Sequence, residues 1–332
     1  MRRVMLLLLL ALGLIAAGCG GDDGDSNGSG SGSGGGGSAF DRRIEAAQNV
    51  SAADFPAPGR QTLRDLGNQV GQVQMGLATS EFSPGENRLA FGVIGNDNKF
   101  IYGKSAVYVA PTPDDVPEGP FPAPADPLVI DPPFRSRNAA SEGDSVAAIY
   151  AANVDLSPGK YAVLSVTETP QGLVGGPAYI QVKKSSKIPN VGDAPPRVDT
   201  ETVESAGGDI KSIETRIPAD DMHEENFADV LGKKPVILLF ATPALCQTRV
   251  CGPVTDIAAQ LQKEYGDQAT FIHQEVYEDN KVQNGLREPL RRFGLRTEPW
   301  LFAVGADGKV AARLEGSFGT GAFRKAVEAA IN

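Results

Sequence analysis

The spacing of apolar and polar residues changes character along this chain. Between residues 69 and 184, short runs rich in Val, Ile, Tyr and Phe are separated by Pro and Gly, and apolar residues alternate with polar ones, as at Leu89, Phe91 and Val93. A period of two predicts strands with one buried face. The turn sequences FSPGE and LSPGK precede two of these runs. Six or more strands without intervening helices predict an all-β, immunoglobulin-like sandwich.

After residue 200 the pattern is different. The run PVILLFAT, which begins at Pro235, is continuously apolar and predicts a strand that is buried on both faces. Further along, Ile257, Leu261 and Tyr265 lie four residues apart, and Pro253 suits the first turn of a helix. A strand, a short helix, a hairpin and a closing amphipathic helix follow. This order predicts an α/β fold with a mixed central sheet.

Together these patterns predict a multidomain chain of 332 residues. The predicted segments are a signal peptide (1–19), a flexible Gly/Ser tether (20–38), a lead-in with an incomplete helical pattern (39–68), the β-sandwich domain (69–184), a charged, Pro-rich linker (185–200) and the α/β domain (201–332).

The N-terminal segment predicts export. Arg2 and Arg3 precede a long apolar stretch, and small residues lead to Cys19, which is the layout of a signal peptide. The stretch AAGC resembles the bacterial lipobox, although Ala16 stands where that box more often has Leu. The resemblance implies that Cys19 is lipidated and anchors the protein at the extracytoplasmic face of the cell membrane. An uncleaved signal anchor is the alternative.

Charge and hydropathy narrow the range of partners. The formal net charge is -10, and binding to phosphate groups needs a surplus of Lys and Arg, so nucleic acid is not an expected partner. After the signal peptide the sequence has no second apolar run long enough to span a bilayer. We therefore expect contact with the membrane through the lipid anchor.

Candidate chemistry lies in the second domain. The predicted sandwich contains neither His nor Cys, which favours a spacer or a partner-binding module. Once Cys19 is assigned to lipid, only Cys246 and Cys251 remain, with four residues between them, after the buried strand and before the helix. Outside the cytoplasm disulfides form and persist. The pair is therefore a structural disulfide, a reactive dithiol or part of a metal site.

Residues 234–332 resemble the thioredoxin fold. The buried strand ends in a cysteine loop and a helix follows, while FGLRTEPWLFAVGADGKVAARLEG is similar to the family's cis-proline region and terminal hairpin. The resemblance implies a thiol-disulfide oxidoreductase that needs no organic cofactor. Cys246 would be the attacking thiol and Cys251 the resolving thiol. Pro299 would be the cis-proline beside which a protein substrate's chain pairs.

Three charged or apolar positions bear on the reactivity of these thiols. Arg249 lies between the cysteines, where a cation would lower their pKa. Glu298 precedes Pro299 and would raise it. Thioredoxins carry a buried acid one residue before the Phe that ends the strand, and this chain has Leu239 there. The resemblance therefore supplies no proton acceptor at that position.

The cysteine spacing departs from the family pattern, since thioredoxins have two residues between their cysteines. Two residues five positions apart on one helix have Cα atoms about 8.7 Å apart, beyond the reach of a disulfide. We therefore expect Cys246 on a loop ahead of the helix, or an unwound first turn. A second register also exists, because CGPV from Cys251 matches the thioredoxin-type CGPC with Val254 in place of the second cysteine.

Two other functions remain open on sequence grounds. TPALCQTRVC is similar to the cysteine spacing of some peroxiredoxins, which would make the protein a thiol peroxidase, although Thr242 lies four residues before Cys246 rather than three. A copper-binding or partner-binding lipoprotein without enzymatic activity is the other. His273 is the weak candidate for a metal ligand beside Cys246 and Cys251, while His223 is expected in a solvated turn.

Overall fold

The computed structural model describes residues 39–137, 146–246 and 250–332. All of these belong to one compact unit. The predicted signal peptide, Cys19, the tether and Arg249 lie outside the described residues. In the part of the chain that the structure describes, no helix is both long enough and apolar enough to cross a membrane.

The N-terminal, β-rich region contains two short helices and nine strands among its described residues. They are α1 (Ala39–Gln48), α2 (Leu63–Asn68), β1 (Gly71–Gln72), β2 (Gln74–Leu77), β3 (Gly85–Ile94), β4 (Ser105–Ala110), β5 (Glu118–Pro122), β6 (Ala125–Pro127), β7 (Ala148–Leu156), β8 (Gly159–Thr169) and β9 (Gly172–Val182).

These strands form two sheets that share one core. The first sheet has the order β1-β9-β8-β4-β5 and the second has the order β2-β3-β7-β6. Phe91 and Tyr150 from the second sheet pack with Val107, Val163 and Ile180 from the first. Alternation along each strand sends these apolar side chains inward, so the two sheets face each other. The immunoglobulin-like classification of this arrangement stays a prediction.

The apolar runs predict most of these strands, and two differences have clear causes. The run DPLVID is strand only as far as Pro127, after which Leu128 and Ile130 pack against the core of the C-terminal region. Strand β5 begins at Glu118, in a stretch that is rich in prolines and acidic residues and has no alternating apolar pattern. It pairs at the edge of its sheet with β4, where Pro is tolerated.

The C-terminal region follows the predicted order, with one extra turn of helix ahead of it. Its elements are α3 (Phe227–Val230), β10 (Val236–Phe240), α4 (Cys251–Tyr265), β11 (Thr270–Gln274), α5 (Glu288–Phe293), β12 (Trp300–Val304), β13 (Val310–Glu315) and α6 (Thr320–Ile331). The sheet order is β11-β10-β12-β13. Strand β10 pairs in parallel with β11 and antiparallel with β12, so the predicted mixed sheet is confirmed.

The central strand β10 is apolar on both faces because each face supports a separate core. Ile237 and Leu239 pack towards α4 and α6. Leu238 and Phe240 face the opposite way, towards an aromatic cluster that includes Phe293. Alternate residues of a strand point to opposite faces, so five consecutive apolar residues are what a sheet covered on both sides requires. This burial fixes the end of β10, where the cysteine loop begins.

Polar contacts join the β-rich and C-terminal regions. The Asp126 carboxylate in β6 accepts hydrogen bonds from the backbone N–H groups of Gly319, Gly321 and Ala322 at the start of α6, at 2.8, 2.9 and 3.1 Å. Gly316 has a positive φ of 69°, and a Cβ there would lie 1.7 Å from the Ala78 carbonyl oxygen. Only glycine fits such an approach.

The predicted linker also takes part in packing. Ile188 and Val198 are buried in the same core as Phe293, on the aromatic face of the C-terminal sheet. Residues 185–200 therefore have the composition of a linker, but their buried apolar side chains belong to the core of the C-terminal region. The domain boundaries themselves stay predictions.

Candidate functional site: a thiol pair ahead of helix α4

The loop between β10 and α4 holds the two cysteines in different local structures. The backbone N–H groups of Leu245 and Cys246 donate to the Thr242 carbonyl oxygen at 3.3 and 3.1 Å, which forms a turn directly after the buried strand. Cys246 lies at the end of this turn, and Cys251 is the first residue of α4. The two cysteines do not share a helix, so the helix-distance limit on a disulfide does not apply to them.

The two thiols differ in exposure. Cys246 is half-buried and Cys251 is fully buried. Burial raises the pKa of the Cys251 thiol well above its ordinary value, and a hydrogen bond with Cys246 raises it further. A hydrogen bond with the Thr242 backbone acts in the opposite direction. Although Cys251 stands at a helix N-terminus, where a thiolate is favoured, desolvation dominates and the buried group is a protonated thiol.

Pro299 and Glu298 lie beside this pair. The Glu298–Pro299 peptide bond is cis, and Pro299 is buried directly before β12, the strand that pairs with β10. Glu298 is partly buried. Burial raises the pKa of its carboxyl group, and the charge of Cys246 raises it further. Because the charge of Glu298 also raises the pKa of Cys251, the carboxyl group is close enough to interact electrostatically with both sulfurs.

A tyrosine completes this side of the site. The hydroxyl group of Tyr277 lies 3.5 Å from Oε1 of Glu298, and this contact lowers the pKa of Glu298. Burial raises the pKa of Tyr277, and the nearby charges of Glu298, Cys246 and Cys251 act in the same direction. Tyr277 is therefore a neutral hydrogen-bond donor beside the thiols. The role of Arg249 stays a prediction, because that residue lies outside the described part of the chain.

Glu275 is a buried acid near the thiols that the sequence did not single out. It follows β11, and Glu275 Oε1 accepts hydrogen bonds from the Thr215 backbone N–H at 2.9 Å and from its hydroxyl at 2.5 Å. Burial raises the pKa of Glu275, and the charge of His273 lowers it. The sequence offered one signal for Glu275, which is an acidic residue directly after the apolar run of β11.

Both histidines of the chain lie in a different buried cluster. His273 Nδ1 is 3.1 Å from Glu214 Oε2 and 3.0 Å from Asp220 Oδ2, while His273 Nε2 is 3.2 Å from the Ala241 carbonyl oxygen. Both ring nitrogens are therefore engaged away from the sulfurs, and the structure does not bring His273 together with the cysteines. His223 is also buried, with 1% of its surface exposed, so the prediction of a solvated turn was wrong.

The reason for this correction is a long-range contact. His223 Nε2 lies 3.0 Å from Glu214 Oε2, which draws the acidic stretch around His223 inward. Burial alone would lower the pKa of His273, but the charges of Glu214 and Asp220 outweigh it and raise that pKa well above its ordinary value. Periodicity could not reveal this cluster, because three of its members come from a segment without regular secondary structure. We call the following residues the histidine–carboxylate cluster: Glu214, Asp220, His223 and His273.

Comparison with known proteins finds structural neighbours only. No family model matches this chain, and no curated protein matches it. A thiol:disulfide interchange protein, DsbE, from Chlorobium tepidum aligns with a TM-score of 0.31 and 15% sequence identity, over 43% of this chain and 99% of that one. A thiol:disulfide interchange protein of the thioredoxin family from Chlorobium tepidum TLS aligns with a TM-score of 0.30 and 19% identity, over 45% of this chain and 100% of that one.

The C-terminal region has a definite order of elements around the cysteine loop. The C-terminal region has a strand, a cysteine loop, a helix, a parallel strand, a second helix, a hairpin and a closing helix, with the first strand at the centre of the sheet. A proline directly before the hairpin adjoins the cysteine loop. This order of elements and the location of the thiol pair agree with what the thioredoxin resemblance of residues 234–332 predicts.

Proposed function

We propose that this protein is a membrane-anchored, extracytoplasmic thiol-disulfide oxidoreductase that acts on protein disulfides. One observation carries the proposal: a half-buried thiol and a fully buried thiol are hydrogen-bonded to each other at the N-terminus of α4, beside Pro299 and Glu298. A substrate can reach the half-buried Cys246 thiol, while the buried Cys251 thiol is held close to the Cys246 sulfur. This asymmetry is what a two-step exchange needs.

Reduction of a substrate disulfide would take two steps. The Cys246 thiolate attacks one sulfur of the substrate disulfide, which forms a mixed disulfide and releases the other substrate sulfur as a thiolate. The Cys251 thiol then loses its proton and attacks the Cys246 sulfur. The Cys246–Cys251 disulfide forms and the second substrate thiolate leaves, so the substrate gains two electrons and the protein loses two. The same steps in reverse oxidise a dithiol.

The second step needs a proton acceptor, because burial holds Cys251 in its protonated form. We assign this role to Glu298, since its carboxyl group interacts with the charges of both sulfurs. Tyr277 orients that carboxyl group. Glu275 holds Thr215, whose hydroxyl oxygen accepts the Ala244 backbone N–H in the turn before Cys246, so Glu275 is a positioning residue in this scheme. Together these groups would replace the acid that is absent at Leu239.

The rest of the chain fits a role at the membrane in this proposal. The predicted lipid anchor at Cys19 and the Gly/Ser tether would keep the thiol pair outside the cytoplasm and close to the bilayer. The β-rich region, proposed as an immunoglobulin-like sandwich, would space the site from the membrane or bind a partner. Pro299 would border the groove where an extended substrate chain pairs.

Trapping of mixed disulfides tests the proposal. In the full-length chain, Cys251→Ser leaves the attacking thiol without its resolving partner, so we expect covalent adducts with disulfide-containing proteins on non-reducing gels. Cys246→Ser removes the attacking thiol and should give far fewer adducts. A chain with both substitutions is the matched control. Equal trapping by the two single variants, or adducts in neither, would contradict the assigned roles, as would peroxide reduction faster than disulfide exchange.

The reduction potential of the pair provides a second test that does not depend on a substrate. Exchange proteins have potentials between about -120 and -270 mV, whereas structural disulfides lie below about -300 mV. Equilibration of the chain in dithiol buffers, followed by alkylation and mass spectrometry, measures the oxidised fraction. A potential within the first range supports exchange, and one below the second identifies a structural disulfide.

A further inference from the structure

The histidine–carboxylate cluster is a second site of concentrated chemistry in the C-terminal region, and the proposed thiol exchange does not use it. All four side chains are buried. The chain has only two histidines, and both are in this cluster. One ligand atom from each residue lies within 4.8 Å of the others. Imidazole and carboxylate groups are the donors that divalent transition metals take up in proteins.

We propose that the histidine–carboxylate cluster binds one Zn²⁺ ion with an N₂O₂ ligand set. The site lies between β11 and the segment of residues 214–223, directly beneath the loop that carries Cys246. The proposal goes beyond the thiol exchange proposed above, and its test does not require that activity.

The distances between the ligand atoms fit a tetrahedral ion. His273 Nδ1 lies 3.1 Å from Glu214 Oε2 and 3.0 Å from Asp220 Oδ2. His223 Nε2 lies 3.0 Å from Glu214 Oε2 and 3.6 Å from Asp220 Oδ1. Ligands bound to zinc at about 2.0–2.1 Å in a tetrahedron are separated from one another by about 3.3 Å. These contacts are close to that value, although they use both oxygens of Asp220. With one ligand atom from each residue the four atoms lie within 4.8 Å of one another, so the side chains would draw together around a bound ion.

The surroundings of the cluster orient its ligands. His273 Nε2 faces the Ala241 carbonyl oxygen at 3.2 Å, so Nδ1 is the nitrogen that points into the cluster. The Arg216 backbone N–H donates to Glu214 Oε1 at 2.6 Å, and the Met222 N–H donates to Asp220 Oδ1 at 2.9 Å. Backbone donors that hold ligating carboxylates are a usual second layer of a metal site.

The cluster places two buried carboxylates against both histidines of the chain. His223 faces them through Nε2 and His273 through Nδ1. The carboxylates of Glu214 and Asp220 each lie close to both histidines. A divalent cation would neutralise both carboxylates and take the imidazoles as neutral ligands.

The location gives the ion a structural role. Thr215, next to Glu214, accepts the Ala244 backbone N–H at 3.1 Å in the turn before Cys246. Ala241, next to Thr242, faces His273. A bound ion would therefore fix the loop from both ends, without contacting either sulfur. We expect the thermal unfolding temperature to rise with the concentration of free Zn²⁺, because an ion that binds only the folded chain stabilises it.

Cobalt binding tests the proposal without interference from sulfur. The full-length chain with Cys19, Cys246 and Cys251 all replaced by Ser should bind one Co²⁺ ion, with the intense visible absorption of a four-coordinate N/O site, and Zn²⁺ should displace it. In this background His223→Gln, which keeps a polar group of similar reach, should weaken binding at least about 100-fold. Glu275→Gln is the matched control, since Glu275 is equally buried but its Oε1 accepts from Thr215.

Each outcome decides for or against the site. One ion per thiol-free chain, lost in His223→Gln and retained in Glu275→Gln, supports the proposal. Substoichiometric binding, equal affinity in His223→Gln, or a weak octahedral cobalt spectrum would overturn it. If His223→Gln does not fold by circular dichroism, the NMR signals of the only two imidazole rings decide, because both must shift when Zn²⁺ is added to the thiol-free chain. Binding that requires the cysteines would also overturn the proposal.

Discussion

The β-rich region and the C-terminal region bury different kinds of polar side chain. In the described residues of the β-rich region, the fully buried polar side chains are neutral: Thr79, Asn87, Ser105, Ser136, Ser165 and Thr167. Arg88 is partly buried, and burial lowers its pKa to about 10. In the C-terminal region, the buried polar side chains include these ionisable groups: Glu214, Arg216, Asp220, His223, Asp256, His273, Glu275, Arg287 and Glu315.

This difference separates two ways of filling a core. Neutral hydroxyl and amide groups can be buried at modest cost when they are hydrogen-bonded, as Ser105 and Thr167 are to each other at 2.9 Å. Buried charges cost far more and are retained where they are paired or where they do chemistry. The concentration of buried charge therefore distinguishes the C-terminal region from the β-rich region.

The largest effect is expected from breaking a buried ion pair. Arg216 Nε lies 2.8 Å from Asp256 Oδ1, with side-chain exposures of 5% and 0%. Burial raises the pKa of Asp256, and Arg216 lowers it, so the carboxylate depends on its partner. Arg216→Ala should reduce the free energy of unfolding by about 3–5 kcal/mol, because it leaves a buried charge without a counterion. Denaturation in urea measures this loss.

An exposed pair in the β-rich region provides the control. Arg64 Nε lies 2.7 Å from Asp114 Oδ1, at the same kind of distance but in solvent. Arg64→Ala should leave the unfolding midpoint unchanged within error. The double substitution Arg216→Met with Asp256→Leu should recover most of the lost stability, since it removes both charges. Equal losses in Arg64→Ala and Arg216→Ala would show that the two regions do not differ in this respect.

A smaller effect is expected where the two regions meet. Asp126 of the β-rich region caps α6 of the C-terminal region through three backbone N–H groups. Asp126→Ala should reduce the free energy of unfolding by about 1–2 kcal/mol, because these donors lose their acceptor and the helix dipole loses a favourable charge. Asp126→Asn keeps an acceptor and should lose less. Urea denaturation again provides the measurement.

The matched control for this cap lies close by. Asp131 is exposed, and its backbone N–H donates to Gln260 Oε1 at 2.8 Å in α4. Asp131→Ala keeps that backbone contact and should change stability by less than about 0.5 kcal/mol. If Asp126→Ala costs no more than Asp131→Ala, the capping contact does not stabilise the junction between the regions.

The same contrast explains what the sequence could reveal. Continuous apolar runs and alternation depend on local burial, so β3, β4, β7 to β9, β10 and the elements after it were predictable. The placement of Cys246 ahead of the helix followed from helix geometry. Strand β5 was not predictable, because an edge strand tolerates Pro and Gly and lacks an apolar pattern.

The polar part of the site was less accessible to sequence reasoning. Glu214 and His223 lie in a segment without periodicity, and only long-range contacts bring them to His273. Glu275 gave a weak signal as an acid directly after a buried strand. Pro299, which the thioredoxin resemblance marked, directly precedes β12, and the charge of Glu298 interacts with both cysteines. Their roles stay predictions, and the histidine–carboxylate cluster needed the structure.

The smallest effect is expected from removing one charge beside the thiols. Burial is the main reason for the raised pKa of Cys251, and the Glu298 carboxylate adds to it. Loss of a nearby negative charge favours a thiolate, so Glu298→Gln should shift the pH dependence of cysteine alkylation to lower pH by about half a pH unit, or about 0.7 kcal/mol. Peptide-resolved mass spectrometry after timed alkylation measures the shift for each cysteine.

An acid of the β-rich region tests whether this shift is local. Glu118 begins β5 and is exposed, so Glu118→Gln changes the net charge of the chain equally but should leave the alkylation profile in place. If both variants move the profile, the overall charge controls the thiols. If Glu298→Gln moves it to higher pH, Glu298 stabilises the thiolates and cannot raise their pKa. A shift to lower pH in Glu298→Gln alone, with slower release of trapped substrate, would identify Glu298 as the group that tunes Cys251 and accepts its proton.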